Sequence, residues 1–345
     1  MPKCSFPKLT LALTSLFLLP SAAPADLVVL QYHHVSDDTP PSTSTSPDLF
    51  REQLALIKKL DLEVVPLREG LQKALKGDTS TPVVALTFDD AYSSIYETAW
   101  PLIREHGWSL TLFVNAEAVD EGRQGYMDWD QLREMSQADS VTIGNHSFDH
   151  DHLVPLPGES AAAFRARFQN SALKGQARLT EALGVTPRLF AYPYGEYNTV
   201  VQEWMRDQGW KGFGQQSGAI GASSDTTALP RFPASNTYGK LDTLETKLRA
   251  RAFPIDYHAL PDPVFDRNPP QLELTLPSEW QRERLACYGS GRGRLKIQGE
   301  QQRVRVHPNT PFESRRFRYN CTYPAENGRF FWLSQPWVDI RASRD

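Results

Sequence analysis

Across residues 27–257, short apolar runs alternate with segments of helical period. Few folds accommodate that alternation except a parallel α/β sheet, because each return from one parallel strand to the next needs a crossover long enough to hold a helix. Strands are expected at 27–32, 83–88, 110–115, 141–145 and 189–192. The 50–60 segment carries Phe50, Leu54, Ile57 and Leu60 on one face, as a helix packed on a sheet would, and 161–183, 199–207 and 241–252 behave similarly. Pro254, Pro261, Pro263, Pro269 and Pro270 then break the pattern. Beyond them the short, often alternating stretches 271–276, 294–297, 302–306, 316–319 and 329–333 are separated by Gly, Asn and Pro, the texture of a small all-β module. The expected layout is therefore a signal peptide over 1–25, an α/β domain over 26–258, a Pro-rich linker over 259–270 and a β module over 271–345.

The first 25 residues set the compartment. Lys3 and Lys8 precede an apolar run over 9–19, too short to span a bilayer comfortably, and Ala23-Pro24-Ala25 fits the small-residue rule for signal cleavage. Export to the periplasm or the medium follows, with no transmembrane anchor after cleavage. Losing those two lysines would take the formal charge from −4 to −6. An acidic mature chain of that kind is poorly suited to nucleic acid. Cys4 leaves with the signal, so Cys287 and Cys321 remain, either as a disulfide, the first expectation for an exported pair, or as two buried thiols.

The residues that carry chemistry collect where strands end. The run 83–88 stops at Asp89-Asp90, and 141–145 stops at His146, with His150 and His152 close behind. Five of the eight histidines fall in two clusters, His33-His34 and 146–152, which a set of unrelated surface residues would not produce. In parallel α/β folds the carboxyl ends of strands are where sites form. One carboxylate and two imidazoles leave a coordination position open for water, the arrangement of a catalytic metal.

Taken in order, Thr87-Phe88-Asp89-Asp90, Asn145-His146-Ser147-Phe148-Asp149-His150 and Phe190-Ala191-Tyr192-Pro193-Tyr194-Gly195 resemble the first three motifs of the polysaccharide deacetylases, carbohydrate esterase family 4. Tyr32-His33-His34 resembles a subgroup that includes poly-N-acetylglucosamine deacetylases. The resemblance covers roughly 27–252 and implies a distorted (β/α) barrel with fewer than eight complete units. It further implies hydrolysis of N-acetyl groups on an N-acetylated polysaccharide. Asp90, His146 and His150 match the family's metal ligands, Asp89 its general base, and the backbone N–H of Tyr194 its oxyanion donor. The cofactor implied is one divalent ion, zinc first, with cobalt, nickel or iron also compatible.

Two departures from the family pattern bear on the mechanism. The family's acid histidine lies in a late L-x-H strand, whereas the late histidines here are His258, at the linker, and His307, in the β module. The apolar run ending in His33 has the texture of that strand moved to the front, so His33 is the expected general acid. Ala191 stands where the third motif usually carries an arginine that orients the base. Arg231 or Arg188 could replace it, and Arg231 is preferred because its segment could return to the barrel mouth. Tyr92, Trp129, Tyr192, Tyr194, Tyr197, Trp332 and Trp337 could stack on sugar faces, although core packing explains any one of them equally well. The alternatives are an esterase acting on O-acetyl sugars and a non-catalytic metal- and glycan-binding protein. Retention of Asp89 argues against the latter. The absence of H-E-x-x-H leaves a peptidase of that type unsupported.

Overall fold

The computed structural model describes Met1 and residues 26–77 and 82–343; the expected signal segment from residue 2 to residue 25, Cys4 included, lies outside the described residues. No helix among the described residues is long and apolar enough to cross a membrane.

The first region is a curled, mostly parallel sheet. Its order runs Ala219–Ile220, Leu27–Tyr32, Val83–Asp89, Leu110–Val114, Val141–Asn145, Leu189–Ala191, Lys211–Phe213, with Ala219–Ile220 the antiparallel member. Phe232–Pro233 lies parallel to the first strand at Leu30 and Gln31, while Leu229, three residues earlier, bridges Phe213 at the other end of the sheet. The segment between Leu229 and Phe232 therefore nearly closes the barrel, and Arg231 sits inside that closure. This is the distorted barrel expected, with the short closing strands too brief to show a period.

Alternation along the strands explains why the site is at one end. Leu27 and Val29 of the first strand and Val83 and Ala85 of the second belong to the barrel's inner core with Phe113, Leu189 and Phe213. Val28, Leu30, Tyr32, Val84, Leu86 and Phe88 face outward onto Phe50, Leu54 and Ile57 of the Pro47–Lys59 helix. Continuing the inner face towards the carboxyl ends, Gln31, Thr87 and Asp89 replace apolar residues while remaining buried. The interior is thus dry at one mouth and polar at the other. Ser46 caps the Pro47–Lys59 helix by accepting from the Leu49 N–H, which adds a start signal to the apolar stripe.

The last helix of this region stops at Leu248, earlier than the 241–252 periodicity predicts, and Arg251–Ala252 instead runs parallel to Phe331 and Trp332 of a second sheet. That sheet has the order Arg251–Ala252, Phe330–Val338, Arg316–Pro324, Ala286–Gly289, Gly293–Arg294. It shares a core with a three-stranded sheet of Leu272–Thr275, Arg303–His307 and Lys296–Glu300. Ala250 still packs in the barrel, whereas Phe253 and Ile255 pack in the second core. The Pro-rich stretch is fastened along the second sheet: Val338 N–H donates to the Pro263 carbonyl, Asn268 Nδ2 to that of Phe312, and Tyr319 Oη to that of Pro270.

Cys287 and Cys321 form a disulfide between directly opposed residues of neighbouring antiparallel strands, 34 residues apart in sequence. A loop of that length confines the unfolded chain enough to stabilise the fold by roughly 3–4 kcal/mol. Replacing both cysteines by alanine should therefore lower the stability of the second region by about that amount. Chemical denaturation read by the fluorescence of Trp280 and Trp337 would measure it, and an unchanged midpoint would show that the cross-link contributes nothing.

Candidate active site

Three strand ends and one turn converge on the polar mouth. Asp90 follows the Val83–Asp89 strand in a left-handed conformation (φ 74°), and Ala91 continues it (φ 57°). Ser147 (φ 65°) and His150 (φ 54°) after the Val141–Asn145 strand, and Tyr194 (φ 59°) in the Pro193–Gly195 turn, do the same. Left-handed backbone at non-glycine residues costs energy and persists where the surroundings enforce it, commonly at functional sites. Here it turns adjacent side chains away from each other, which gives Asp89 and Asp90 different environments.

The histidine loop is held from behind by the Ala161–Leu183 helix. Phe148 N–H donates to the Ser171 carbonyl, and Asn145 Nδ2 donates to that of Ala172. Gly175 permits the approach, since a Cβ there would lie 2.7 Å from Asn145 Oδ1 and from the Ser147 backbone.

Asp90, His146 and His150 each present one ligand atom, all within 4.8 Å of one another. Their fit to a cation shows in the bonding. Asp90 Oδ1 is buried without a hydrogen-bond partner among the described residues, 3.3 Å from His146 Nε2 and 3.4 Å from His150 Nε2. His146 Nδ1 lies 2.7 Å from the Ala191 carbonyl, so it is the protonated nitrogen and the Nε2 lone pair is left towards Asp90. Ala191, which stands where the family pattern usually has an arginine, thus orients this candidate ligand through its backbone carbonyl. Burial is the largest influence on His150 and lowers it to about 4, so its imidazole is neutral and able to ligate near pH 7.

Asp89 is fully buried and held at both oxygens. Arg231 grips it with both ends of its guanidinium, Nη1 to Oδ1 at 2.7 Å and Nη2 to Oδ2 at 2.8 Å, and Gln31 Nε2 donates to Oδ2 at 2.8 Å. Arg231 is itself wholly buried and fixed by its Nε donating to the Gly214 carbonyl. Burial works to raise the Asp89 carboxyl, but Arg231 and then His146 more than offset it and hold it below the usual carboxylate range. Arg188, the other candidate, donates to the Gln208 carbonyl far from this pair.

His33 extends from the first strand, its Nε2 3.9 Å from Asp89 Oδ2 and its side chain 17% exposed. It lines a cleft of about 290 Å³ with Gln31, Asp90, Tyr92, His150 and Tyr194. His258, beside Asp225, and His307, beside Gln298, lie elsewhere. His34 stacks on Tyr92 with ring centroids 3.5 Å apart. His152 instead binds the buried Glu196 through Nδ1 at 2.7 Å. Of the aromatic residues singled out in the sequence, Tyr92 and Tyr194 reach the cleft; Tyr192, Tyr197 and Trp337 are buried, Trp332 packs on Phe232 and Trp129 hydrogen-bonds Asp120. Tyr238, Gln31, Arg316 and Arg318 also line it and went unread in the sequence. Gln31 had a usable signal, because it lies two residues before His33 and alternate strand residues share a face.

The curled α/β barrel thus carries at its mouth a carboxylate and two imidazoles that could hold a metal ion, beside a second buried carboxylate clamped by arginine. Residues 76–213 match the polysaccharide deacetylase family model. It is 24% identical over 298 residues to the poly-beta-1,6-N-acetyl-D-glucosamine N-deacetylase of Escherichia coli K12, an alignment covering 74% of this chain and 44% of that protein. The chain thus spans less than half of that relative's length. Among solved structures it resembles IcaB from Ammonifex degensii (27% identity, TM-score 0.53, covering 60% of this chain and 91% of that one). The Streptococcus pyogenes deacetylase PplD shares the fold (22% identity, TM-score 0.57, covering 65% of this chain and 99% of that one).

Proposed function

We propose that this protein is an exported, metal-dependent deacetylase that removes N-acetyl groups from a polysaccharide containing N-acetylglucosamine. The observation that carries this reading is the pairing of an orphaned Asp90 oxygen, facing two imidazoles, with an arginine-clamped Asp89 beside it. The relatives' activity on N-acetylglucosamine polymers supports the substrate class. The disulfide supports an oxidising compartment.

Asp90, His146 and His150 would hold one divalent cation, for which zinc is the first candidate and cobalt, nickel or iron are compatible. When bound, the cation supplies a Lewis acid for the acetyl carbonyl and for the attacking water. Asp89 takes the water's proton at Oδ1, the oxygen with acceptor capacity left over, since Oδ2 serves both Arg231 and Gln31. Arg231 holds that carboxylate in one orientation. The Tyr194 N–H, in a turn with left-handed backbone, would donate to the oxygen that becomes negative as the water adds. His33 hands a proton to the departing nitrogen, so the carbon–nitrogen bond breaks to give acetate and a free amine.

Replacing His146 by alanine tests the ligand set. The expected outcome is loss of stoichiometric metal, measured by elemental analysis of the purified protein, together with loss of acetate release. Stoichiometric metal retained in that variant would remove this assignment.

A further inference from the structure

The second β region reaches into the catalytic mouth. Along the Arg316–Pro324 strand, Phe317, Tyr319 and Cys321 turn into the β core, and the alternate residues Arg316 and Arg318 turn towards the cleft that holds His33, Asp90 and His150. The preceding buried pairing fixes this placement. Glu196, wholly buried in the barrel, accepts from Arg315 Nε at 2.8 Å and Nη2 at 3.1 Å, and from Arg316 Nη1 at 3.2 Å. Arg316 also lies over the Tyr194 ring, 5.2 Å from its centroid.

Arg318 differs from both neighbours. Among the described residues no carboxylate pairs with its guanidinium, and no protein acceptor takes a hydrogen bond from it. The side chain is only partly exposed, and the groups that act on its charge are Tyr238, which favours it, and Arg316, of the same sign, which opposes it. Burial pushes this guanidinium below its ordinary pKa, with Tyr238 working against the shift and Arg316 adding to it. A cation held against a like charge, with its donor fork open to a substrate cleft, loses hydration without gaining a partner until an anion arrives. The fork's two parallel N–H groups match a planar group with two oxygens.

Resting on the deacetylase reading above, we propose that Arg318, with Arg316 beside it, binds a carboxylate on the glycan, carried by a sugar next to the one that is deacetylated. The substrate is then an acidic, N-acetylated polysaccharide, and the second β region selects it. The same guanidinium repels the ammonium group that deacetylation creates, so a deacetylated stretch is held more weakly than an acetylated, carboxylated one.

The test uses the metal-loaded full chain and two matched ligands. One is an oligosaccharide alternating N-acetylglucosamine with glucuronate, and the other is the same oligosaccharide with each carboxylate reduced to an alcohol. Calorimetry should show the carboxylated form binding about 10- to 100-fold more tightly, the range of a charge-assisted pair. Arg318→Gln should abolish that preference and leave affinity for the reduced form unchanged, while Arg318→Lys should keep part of it. Equal affinity of the unaltered protein for both forms, or no binding to either, would overturn the proposal. So would an equal loss for both forms in Arg318→Gln. Acetate release, followed separately, judges the deacetylase reading, because a chain that bound the carboxylated form preferentially yet cleaved no acetylated glycan would retain the anion site and lose the activity.

Discussion

Replacing His33 by alanine is expected to leave metal content and substrate affinity near their original values while lowering turnover on N-acetyl substrates by about two to four orders of magnitude. The reaction expels an amine, which leaves poorly unless it is protonated as the carbon–nitrogen bond breaks. His33 is placed for this at the cleft, 3.9 Å from Asp89 and outside the Asp90, His146 and His150 set. Acetyl esters of good leaving groups need little protonation, so the same variant should hydrolyse them nearly as well as the unaltered protein. Steady-state kinetics on an N-acetyl oligosaccharide and an activated acetyl ester would separate the roles. Equal losses on both substrates would make His33 a structural residue, and loss of metal would make it a ligand.

Replacing Arg231 by methionine should damage both stability and rate. The change leaves the wholly buried Asp89 with Gln31 as its remaining hydrogen-bond donor among the described residues, and stranding one partner of a buried pair typically costs about 3–5 kcal/mol. Burial then acts on Asp89 with its main opponent gone, so its carboxyl pKa rises. In the unaltered protein the depressed carboxyl contributes stability above its ordinary value of 3.8 and loses it as pH falls through the lower folded value. With Arg231→Met that relation inverts, so stability should fall as pH rises from 3.8 through the raised folded value, while the acidic limb of the rate profile moves to higher pH. Adding Asp89→Asn should recover much of the stability without recovering the rate. Denaturant unfolding across pH and a pH–rate profile would measure this. A stability within 1 kcal/mol of the unaltered protein, to about that precision, would show that the clamp is dispensable.

The central strands and the chemistry at their ends were legible because both depend on local pattern. Val83–Asp89 is a mostly apolar run and Val141–Asn145 a short strand-like stretch, and each stops at the residues that face the mouth. Arg231 was legible only in outline. The pieces that close the barrel around it, Phe232–Pro233 and the Leu229 bridge, are too short to carry a period and are held by pairing with residues far away in sequence. The end of the last barrel helix was missed for a related reason, since Arg251–Ala252 is drawn into a sheet by a strand 80 residues later. Ala286–Gly289, which carries Cys287, also escaped notice, being short and bounded by glycine. Arg316 and Arg318 look like the solvated face of an edge strand, and only the docking of that strand against Glu196 and Tyr194 turns them towards the cleft.

The most direct test of the account is to count acetate and free amine released from oligosaccharides containing N-acetylglucosamine, carboxylated and neutral, by the full chain, with metal content measured on the same sample. The account predicts that acetate and amine appear in equal amounts, that a chelator abolishes both, and that adding back a divalent cation restores both. Acetate release that persists after the metal is fully removed, or no release from any N-acetylated glycan by the fully loaded protein, would contradict it.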